Sequence, residues 1–341
     1  MNALGMGKKL GVLVVFAALL MCLGACGQQT SSTNASSSAS ASTSSASASS
    51  TAAANAVHVM ALNGPTGIGM ARLSQNSAYD VRFVGATDEV VSAISSGSVD
   101  IAAVPTNLAA TLYNKTQGGV KMLAVDTYGT LYLLQKGEGV SSLSDLSGKR
   151  VYATGEGANP QYIFEYLLQQ AGLEPGKTAN IEYLPEHSEL AALAANGEAE
   201  LALLPEPFVS VAQAKGGDSL RVALNIGEEW KKATGTELAM GCVIVRSEFA
   251  EQHPEAVKQF LEDLNASVQF ANNDIDAAAQ LCADLGILPN AAVAKSAIPK
   301  CSLVCVTGAD AQAAVDGYLA VLYKANPKSV GSALPDKAFY Y

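Results

Sequence analysis

The chain has 341 residues, of which 49% are hydrophobic and 15% are charged, and its formal net charge is −10. Removing the two charges of Lys8 and Lys9 with a predicted leader changes that value to −12. A surface of this sign repels nucleic acid and anionic lipid head groups, so we exclude a nucleic-acid partner.

The N-terminal segment has the pattern of an export signal. Lys8 and Lys9 precede an apolar run from Leu10 to Leu23, and the small-residue sequence Leu23-Gly24-Ala25-Cys26 resembles a bacterial lipobox. A plain secretory cleavage site is the alternative, whereas a spanning helix needs about 20 apolar residues. We therefore expect residues 1–26 to be a lipoprotein signal, with a lipid on Cys26 that anchors the chain to the outer face of the cytoplasmic membrane.

Residues 27–55 are almost wholly Ser, Ala and Thr. Such a composition offers no apolar face to bury and cannot offset the entropy of its own ordering. We expect a disordered tether, which as a flexible coil reaches on the order of 30 Å.

Residues 56–341 are long enough for two lobes with separate cores. Apolar β-branched runs alternate there with segments of helical period, which predicts an α/β fold with mainly parallel sheets flanked by helices. The predicted strands are Val57–Leu62, Asp80–Val84, Val99–Val104, Val120–Asp126, Thr130–Gln135, Arg150–Ala153, Asn180–Tyr183, Glu200–Leu204, Leu220–Ala223 and Ala239–Arg246.

Two segments of the body, 100 residues apart, share one pattern of residue types: Ile94–Pro105 (ISSGSVDIAAVP) and Ala194–Pro205 (AANGEAELALLP). Each reads as the end of a helix, a glycine stop, a buried strand and a proline that opens the next helix. Two similar α/β modules are implied, although short apolar repeats also arise in unrelated α/β proteins.

After Arg246 the pattern becomes almost entirely helical, and these helices most simply pack back on the first module. The predicted helices are Pro254–Asn272, Asp274–Leu285 and Ala309–Lys324.

The first predicted lobe is therefore discontinuous, with residues 56–127 and 243–341. The second lobe comprises residues 128–242, and the crossing segments near 128–135 and 240–245 form the predicted hinge.

Small polar residues follow the predicted strands, where helix N-termini present free N–H groups to ligands in open α/β sheets. Helix capping explains most of these residues equally well, Glu206 would also complement a helix dipole, and Tyr128 would also serve as hinge packing. The candidate ligand-binding residues are Asn63, Thr66, Gly67, Thr87, Asp88, Thr106, Asn107, Tyr128, Thr154, Glu156, Asn159 and Glu206.

Motifs of enzymes are weak in this sequence. It has no G-x-S-x-G elbow and no P-loop lysine, and Gly155-Glu156-Gly157 is not completed to a dinucleotide fingerprint. Asp88 and Glu206 could form a carboxylate pair, but capping or ligand anchoring suits them better. We expect no catalytic residues, no cofactor and no metal, since the three histidines are scattered.

Four cysteines remain outside the predicted signal and lipobox: Cys242, Cys282, Cys301 and Cys305. A disulfide from Cys282 to Cys301 or Cys305 is one reading, since export permits oxidation. Free buried thiols are the other.

Together with the lipobox and the tether, three segments carry a resemblance to a family: Leu62–Gly69 (LNGPTGIG), Val104–Ala110 (VPTNLAA) and Leu204–Phe208 (LPEPF). The body resembles the solute-binding lipoproteins of ABC importers, with the type II periplasmic-binding fold of the nitrate, sulfonate, taurine and thiamine-precursor group. The resemblance implies a monomer that closes its two lobes on a small solute and docks on a membrane permease. A receptor for a sensor kinase, or a precursor-biosynthesis enzyme on the same fold, is the alternative.

By family position, the resemblance assigns solute contacts to Asn63, Thr66, Thr106, Asn107 and the loop 154–159. These loops contain no arginine or lysine, although a sulfonate or nitrate binder is expected to supply one. The carboxyls of Asp88 and Glu206 instead favour a neutral or amine-bearing solute, such as an aminopyrimidine-like ring stacked on a tyrosine.

Overall fold

The computed structural model describes residues 56–341. The predicted signal segment 1–26 with Cys26, and the predicted tether 27–55, lie outside the described residues. Within the described part, no helix has both the length and the apolar character needed to cross a bilayer.

Two β-sheets form the framework of a two-lobed α/β fold. The strands of the first sheet are β1 (Val57–Leu62), β2 (Tyr79–Val84), β3 (Ile101–Pro105), β4 (Val120–Thr127), β10 (Gly241–Arg246) and β11 (Leu303–Val306). The strands of the second sheet are β5 (Leu131–Lys136), β6 (Arg150–Thr154), β7 (Asn180–Leu184), β8 (Leu201–Pro205) and β9 (Leu220–Asn225). All ten predicted strands are present, with ends that differ by one or two residues.

Both sheets are mixed, although most of their strands share one direction. The strand order is β11-β4-β10-β3-β1-β2 in the first sheet and β7-β6-β8-β5-β9 in the second. β1 pairs in parallel with β2 and β3, as β6 does with β7 and β8. β10 is antiparallel to β3 and β4, and β5 is antiparallel to β8 and β9. The second sheet therefore contains one reversed strand, β5, and the first contains two, β10 and the edge strand β11. β10 and β5 are the strands where the chain enters each sheet from the other lobe.

Helices cover the sheets in both lobes. They are α1 (Pro65–Met70), α2 (Thr87–Ser96), α3 (Thr106–Thr116), α4 (Asn159–Gln170), α5 (His187–Asn196), α6 (Phe208–Gly216), α7 (Ile226–Thr234), α8 (Ser247–Gln252), α9 (Pro254–Asn273), α10 (Ile275–Asp284), α11 (Ala291–Ala297) and α12 (Gly308–Ala325).

The predicted internal repeat is confirmed by the local structure. Helices α2 and α5 have the same length at an offset of 100 residues, and so do strands β3 and β8. Gly97 and Gly197 end the two helices with φ angles of 73° and 78°, a left-handed conformation that glycine adopts without a steric penalty. Thr106 and Glu206 therefore occupy corresponding positions, and both are buried.

The chain after Arg246 is almost entirely helical, as predicted, and β11 is the one strand there that the sequence analysis did not predict. This short strand pairs antiparallel with β4 at the edge of the first sheet. Only four residues long, it gives a weak periodic signal between two helical segments.

Each lobe has an apolar cluster of its own, as predicted, but the prediction of two separate cores is incomplete. One apolar cluster is continuous between the lobes, because α12 contributes Val315 and Tyr318 to the same cluster as Phe164 and Trp230 of the second lobe. The rings of Trp230 and Tyr318 meet edge to face at 6.1 Å. The last helix thus packs on both lobes, while α9 and α10 pack on the first sheet.

Two connections join the sheets, and one of them depends on glycine. The chain leaves β4 through Tyr128, Gly129 and Thr130 and passes the start of α7. A Cβ atom on Gly129 would lie 2.7 Å from Gly227 Cα, so the two backbones are in direct contact here.

We predict that Gly129→Ala destabilises the protein by about 1–3 kcal/mol, because a backbone contact cannot yield as a side chain would. Gly85→Ala is the matched control, since its Cβ would meet no atom within 4 Å and its φ is not positive. Denaturant unfolding of both variants measures the effect, and equal stabilities would contradict the packing described for Gly129.

Candidate functional site

The carboxyl ends of strands from both sheets bring the predicted polar loops together. In the first sheet, Gly241 pairs with both Pro105 and Thr127, so the ends of β3 and β4 lie on either side of the start of β10. In the second sheet, Leu131 pairs with Pro205, which places the end of β8 beside the start of β5. We refer to these two groups of strand ends as the first and second facing edges.

On the second facing edge, Thr154 and His187 form a close polar pair. Thr154 Oγ1 and His187 Nδ1 share a hydrogen bond of 2.5 Å, and Thr154 is 1% exposed. The imidazole lies against the ring of Phe208 with centroids 5.0 Å apart. Burial lowers the pKa of His187, so the neutral imidazole is favoured.

Glu206 is buried directly after β8, at the start of the segment that leads into α6. Its carboxylate accepts hydrogen bonds from Ser210 Oγ at 3.0 Å and from Ser210 N at 3.2 Å. Lys300, which belongs to the polypeptide of the first lobe, places its Nζ 3.7 Å from Glu206 Oε1. Burial raises the pKa of Glu206 to about 7.

Side chains of the two lobes are joined by hydrogen bonds near these edges. Asn159 Nδ2 donates to Asn107 Oδ1 at 2.6 Å. Asn107 is itself held within the first lobe, since its Nδ2 donates to the carbonyl of Ser329 at 3.1 Å. Tyr132 OH donates to the carbonyl of Lys300 at 2.7 Å. Residues of the two lobes are therefore in direct polar contact near the facing edges.

Asp126 was not predicted as a site residue from the sequence. In the structure it is a buried acidic residue on the first facing edge. Gly241 pairs with Thr127 and Cys242 with Val125, so Asp126 is the extra residue of a bulge in β4. The residue is 1% exposed, and neither of its carboxylate oxygens makes a hydrogen bond of good geometry, although its own backbone and the Thr127 hydroxyl lower its pKa slightly. Burial raises its pKa to about 7.

Two hydroxyls near Asp126 are also buried without partners. They belong to Thr106 and Thr127. The backbone of Met240 lies between these two threonines, since Thr106 N donates to Met240 O at 3.0 Å and Met240 N donates to Thr127 O at 3.1 Å.

The predicted site residues divide into two groups. Four of them, Asn63, Thr87, Asp88 and Glu156, are exposed. The other group is buried or half-buried along the facing edges and their connection, and it comprises Thr66, Gly67, Thr106, Asn107, Tyr128, Thr154, Asn159 and Glu206. Contact of any of them with a solute stays a prediction.

Thr66 and Gly67 have clear local roles at the start of α1. Thr66 Oγ1 donates to the carbonyl of Leu62 at 3.2 Å. A Cβ atom on Gly67 would lie 2.6 Å from that same carbonyl oxygen, which explains why glycine is needed there. Packing at the connection also accounts for Tyr128, whose pKa is raised by burial.

The suggested pairing of Asp88 with Glu206 is not seen. Asp88 is exposed on α2, whereas the hydrogen bonds and the ion pair of Glu206 involve Ser210 and Lys300. The predicted loops contain no basic residue, and the basic side chain that lies near them in the structure is Lys300, which is paired with Glu206. It lies far along the chain from every predicted loop, so nothing in the local sequence marked it.

The thiols of Cys282 and Cys301 are buried in the same apolar cluster and are not bonded to each other. Burial raises the pKa of Cys301 well above its ordinary value, which keeps it as a neutral thiol. A disulfide between these residues stays a prediction.

Comparison with known protein families gives a match over most of the described chain. Residues 68–289 match the family described as "ABC transporter, phosphonate, periplasmic substrate-binding protein". This match covers more than half of the chain. The chain belongs to this family of substrate-binding proteins.

Individual relatives agree with this assignment. A curated relative of Bacillus subtilis (strain 168), named for binding aliphatic sulfonates, is 27% identical over 154 residues, which are 45% of this chain and 43% of that protein. The match thus spans less than half of the relative's length.

Solved structures of the same fold cover more of the chain. An ABC transporter structure from Parabacteroides distasonis has a TM-score of 0.72 and 25% identity, covering 84% of this chain and 99% of that one. The periplasmic aliphatic sulphonate binding protein from Escherichia coli has a TM-score of 0.66 and 17% identity, covering 84% and 92%. The second likeness concerns the fold alone.

Because the pKa of Asp126 is raised in the folded protein, its contribution to the free energy of unfolding is predicted to fall as the pH rises. The folded state holds this proton up to about pH 7, while an unfolded aspartate releases it near pH 4, so unfolding releases the proton between these values. The contribution of Asp126 to stability therefore falls by about 1.4 kcal/mol per pH unit between about pH 4 and 7.

We predict that Asp126→Asn gains stability relative to the wild type by about 2–3 kcal/mol as the pH rises from 5 to 7. Glu206 titrates in the same range but is common to both proteins, so its effect cancels in the difference. Urea unfolding at each pH measures this difference, and a constant difference would show that Asp126 ionises normally.

Proposed function

We propose that this chain captures a small polar solute between its two lobes and delivers it to the permease of an ABC importer. The observation that carries the proposal is that polar side chains of the two lobes meet, Asn107 with Asn159 and Glu206 with Lys300. Thr106 and Thr154 are buried at the neighbouring strand ends. Family membership supports the same reading.

Lobe closure gives this arrangement its mechanism. The hydrogen bond between Asn107 and Asn159 links the first turns of α3 and α4, and it forms only when the lobes are together. A solute that binds both facing edges favours the closed form, because only differential affinity for the two forms can shift their populations. The permease would then recognise the closed form.

We propose the predicted division as the moving units, with residues 56–127 and 243–341 in one lobe and 128–242 in the other. The chain would act as a monomer that binds its solute without transforming it. The helix α12 lies in the first lobe by sequence but shares a core with the second, so the lobes would stay in contact around it as they open.

The solute class follows from the charges on the facing edges. The family description names phosphonates and the Bacillus relative is named for sulfonates, and an anion of either kind requires positive charge. The Lys300 ammonium lies beside Glu206 at 3.7 Å, so its charge is already matched. Because Asp126 adds a second buried carboxyl group on the first facing edge, the charges favour a neutral or amine-bearing solute.

Outside the described residues, we propose a lipid anchor on Cys26 and a tether of residues 27–55. These would hold the body at the outer face of the cytoplasmic membrane, within reach of the permease. The lipobox pattern and the Ser/Ala/Thr composition support this proposal.

The solute-binding function is tested by a thermal-shift screen with amino sulfonates, pyrimidines, nitrate and small amines. A solute present at 100 times its dissociation constant stabilises the folded protein by about 2.7 kcal/mol. Failure of every solute to raise the melting temperature would contradict the proposal.

For a solute found in this way, we predict that Thr106→Val weakens binding about five- to tenfold, the effect of one lost hydrogen bond. The melting temperature should not fall, because the lost hydroxyl has no partner within the protein. Thr111→Val on the same helix is the control, since its hydroxyl donates to Asn107 O at 2.9 Å. Calorimetric titration should show normal affinity in the control, and equal affinities in both variants would remove Thr106 from the site.

We predict that Cys26→Ser releases the protein from membranes into the soluble fraction, because the acceptor of the lipid is lost. Fractionation with labelled palmitate measures both properties. Continued incorporation of the label in the variant would show that Cys26 is not the lipidated residue.

A further inference from the structure

Three carboxyl groups are buried within residues 56–341, and one of them lacks a hydrogen bond of good geometry. Asp100 accepts a hydrogen bond from Arg246 at 2.9 Å, and Glu206 accepts one from Ser210 at 3.0 Å. Neither oxygen of Asp126 makes a hydrogen bond of good geometry, although this residue is 1% exposed, and only its own backbone and the adjacent Thr127 hydroxyl lower the pKa that burial raises.

A buried carboxylate without a partner opposes folding, because it loses its hydration and gains no hydrogen bond in return. Asp100 shows how this protein satisfies an acidic side chain that serves the fold. Asp126 does not follow that pattern, so its carboxylate requires an explanation outside the folded chain itself.

Two hydroxyl groups on the first facing edge also lack a well-formed hydrogen bond. Thr127 Oγ1 and Thr106 Oγ1 are buried without a hydrogen bond of good geometry. Thr127 ends β4, and Thr106 begins α3 directly after β3, so the two residues lie on either side of the start of β10. Three polar side chains on one facing edge thus have unused hydrogen-bonding capacity.

The fold also keeps space for the Asp126 carboxylate. A Cβ atom on Gly241 would lie 2.5 Å from Asp126 Oδ1 and 2.9 Å from the Thr66 methyl group. Any larger residue at position 241 would displace the carboxylate. The glycine therefore allows this acid to lie beside the loop that opens α1.

We propose that Asp126, Thr106 and Thr127 form the subsite that binds a protonated amine of the solute. This inference rests on the solute-binding function proposed above and names the chemical class of the solute. An ammonium group has three N–H donors and a positive charge, which match one carboxylate and two hydroxyl acceptors. An anionic group at this position would be repelled by the carboxylate.

Opening of the lobes gives the amine access to this subsite, and closing removes water from it. Thr106 is followed directly by Asn107, whose side chain bonds to Asn159 of the other lobe at 2.6 Å. Exclusion of water strengthens the interaction between the ammonium and Asp126, because the local dielectric constant falls. Closure and recognition of the amine are thereby coupled.

The test uses the full-length protein in detergent and pairs of compounds that differ in the amine. The pairs are putrescine with butanediol, taurine with ethanesulfonate, and aminoethylphosphonate with ethylphosphonate. We expect thermal shift and calorimetry to detect an amine-bearing compound that binds at least about 30-fold more tightly than its amine-free partner, as charged hydrogen bonds in buried sites do.

Two variants separate a binding role from a structural one. Asp126→Asn should lose the preference for the amine, and without solute it should melt at a higher temperature than the wild type at pH 8. Asp100→Asn is the matched control, since Asp100 is buried at the opposite edge of the same sheet with Arg246. It should melt at a lower temperature and keep its affinity for the amine.

The outcomes distinguish this inference from the function on which it rests. Equal binding of both members of the pairs, or normal affinity for the amine in Asp126→Asn, would overturn the inference and leave solute binding intact. A lower melting temperature of Asp126→Asn would likewise overturn it, because Asp126 would then serve the fold. Absence of binding by every compound of both screens would instead contradict the proposed function.

Discussion

The antiparallel insertion of β10 and β5 is the constraint on which the functional arrangement depends. Each of these strands enters its sheet between strands of opposite direction, so its first residue lies beside the carboxyl ends of its neighbours. The two passages of the chain between lobes are therefore also the places where polar strand ends collect. A change of register in either strand would separate Thr106 from Thr127, or Glu206 from the connection at Thr130.

The repeat gives two related edges different chemistry. Thr106 and Glu206 occupy corresponding positions after β3 and β8, yet one presents an unpartnered hydroxyl and the other a carboxylate bonded to Ser210. Duplicated backbone geometry fixes where a side chain is presented, and the residue type decides what it can bind. The asymmetry between the edges suits a solute whose two ends differ.

Much of the fold could be predicted from the sequence, because apolar β-branched runs and glycine stops are local signals. All ten expected strands occur, and Gly97 and Gly197 end their helices as expected.

β11 was missed since four residues carry little periodicity. Asp126 and Lys300 were missed for another reason: the importance of each depends on the residues that surround it in three dimensions. An acid at the end of the apolar run Val120–Asp126 was the one available hint. The shared third core was missed for the same reason, since packing of Tyr318 on Trp230 is a contact between distant segments.

The contact between Trp230 and Tyr318 has a consequence for the range of opening. Both side chains are fully buried, and they belong to parts of the chain on either side of the connection. Wide separation of the lobes would expose an indole and a phenol ring to water, with a free-energy penalty that grows with the exposed aromatic area. Burial of this aromatic pair therefore opposes wide opening of the lobes. A narrow opening in turn limits the size of the solute that can enter between them.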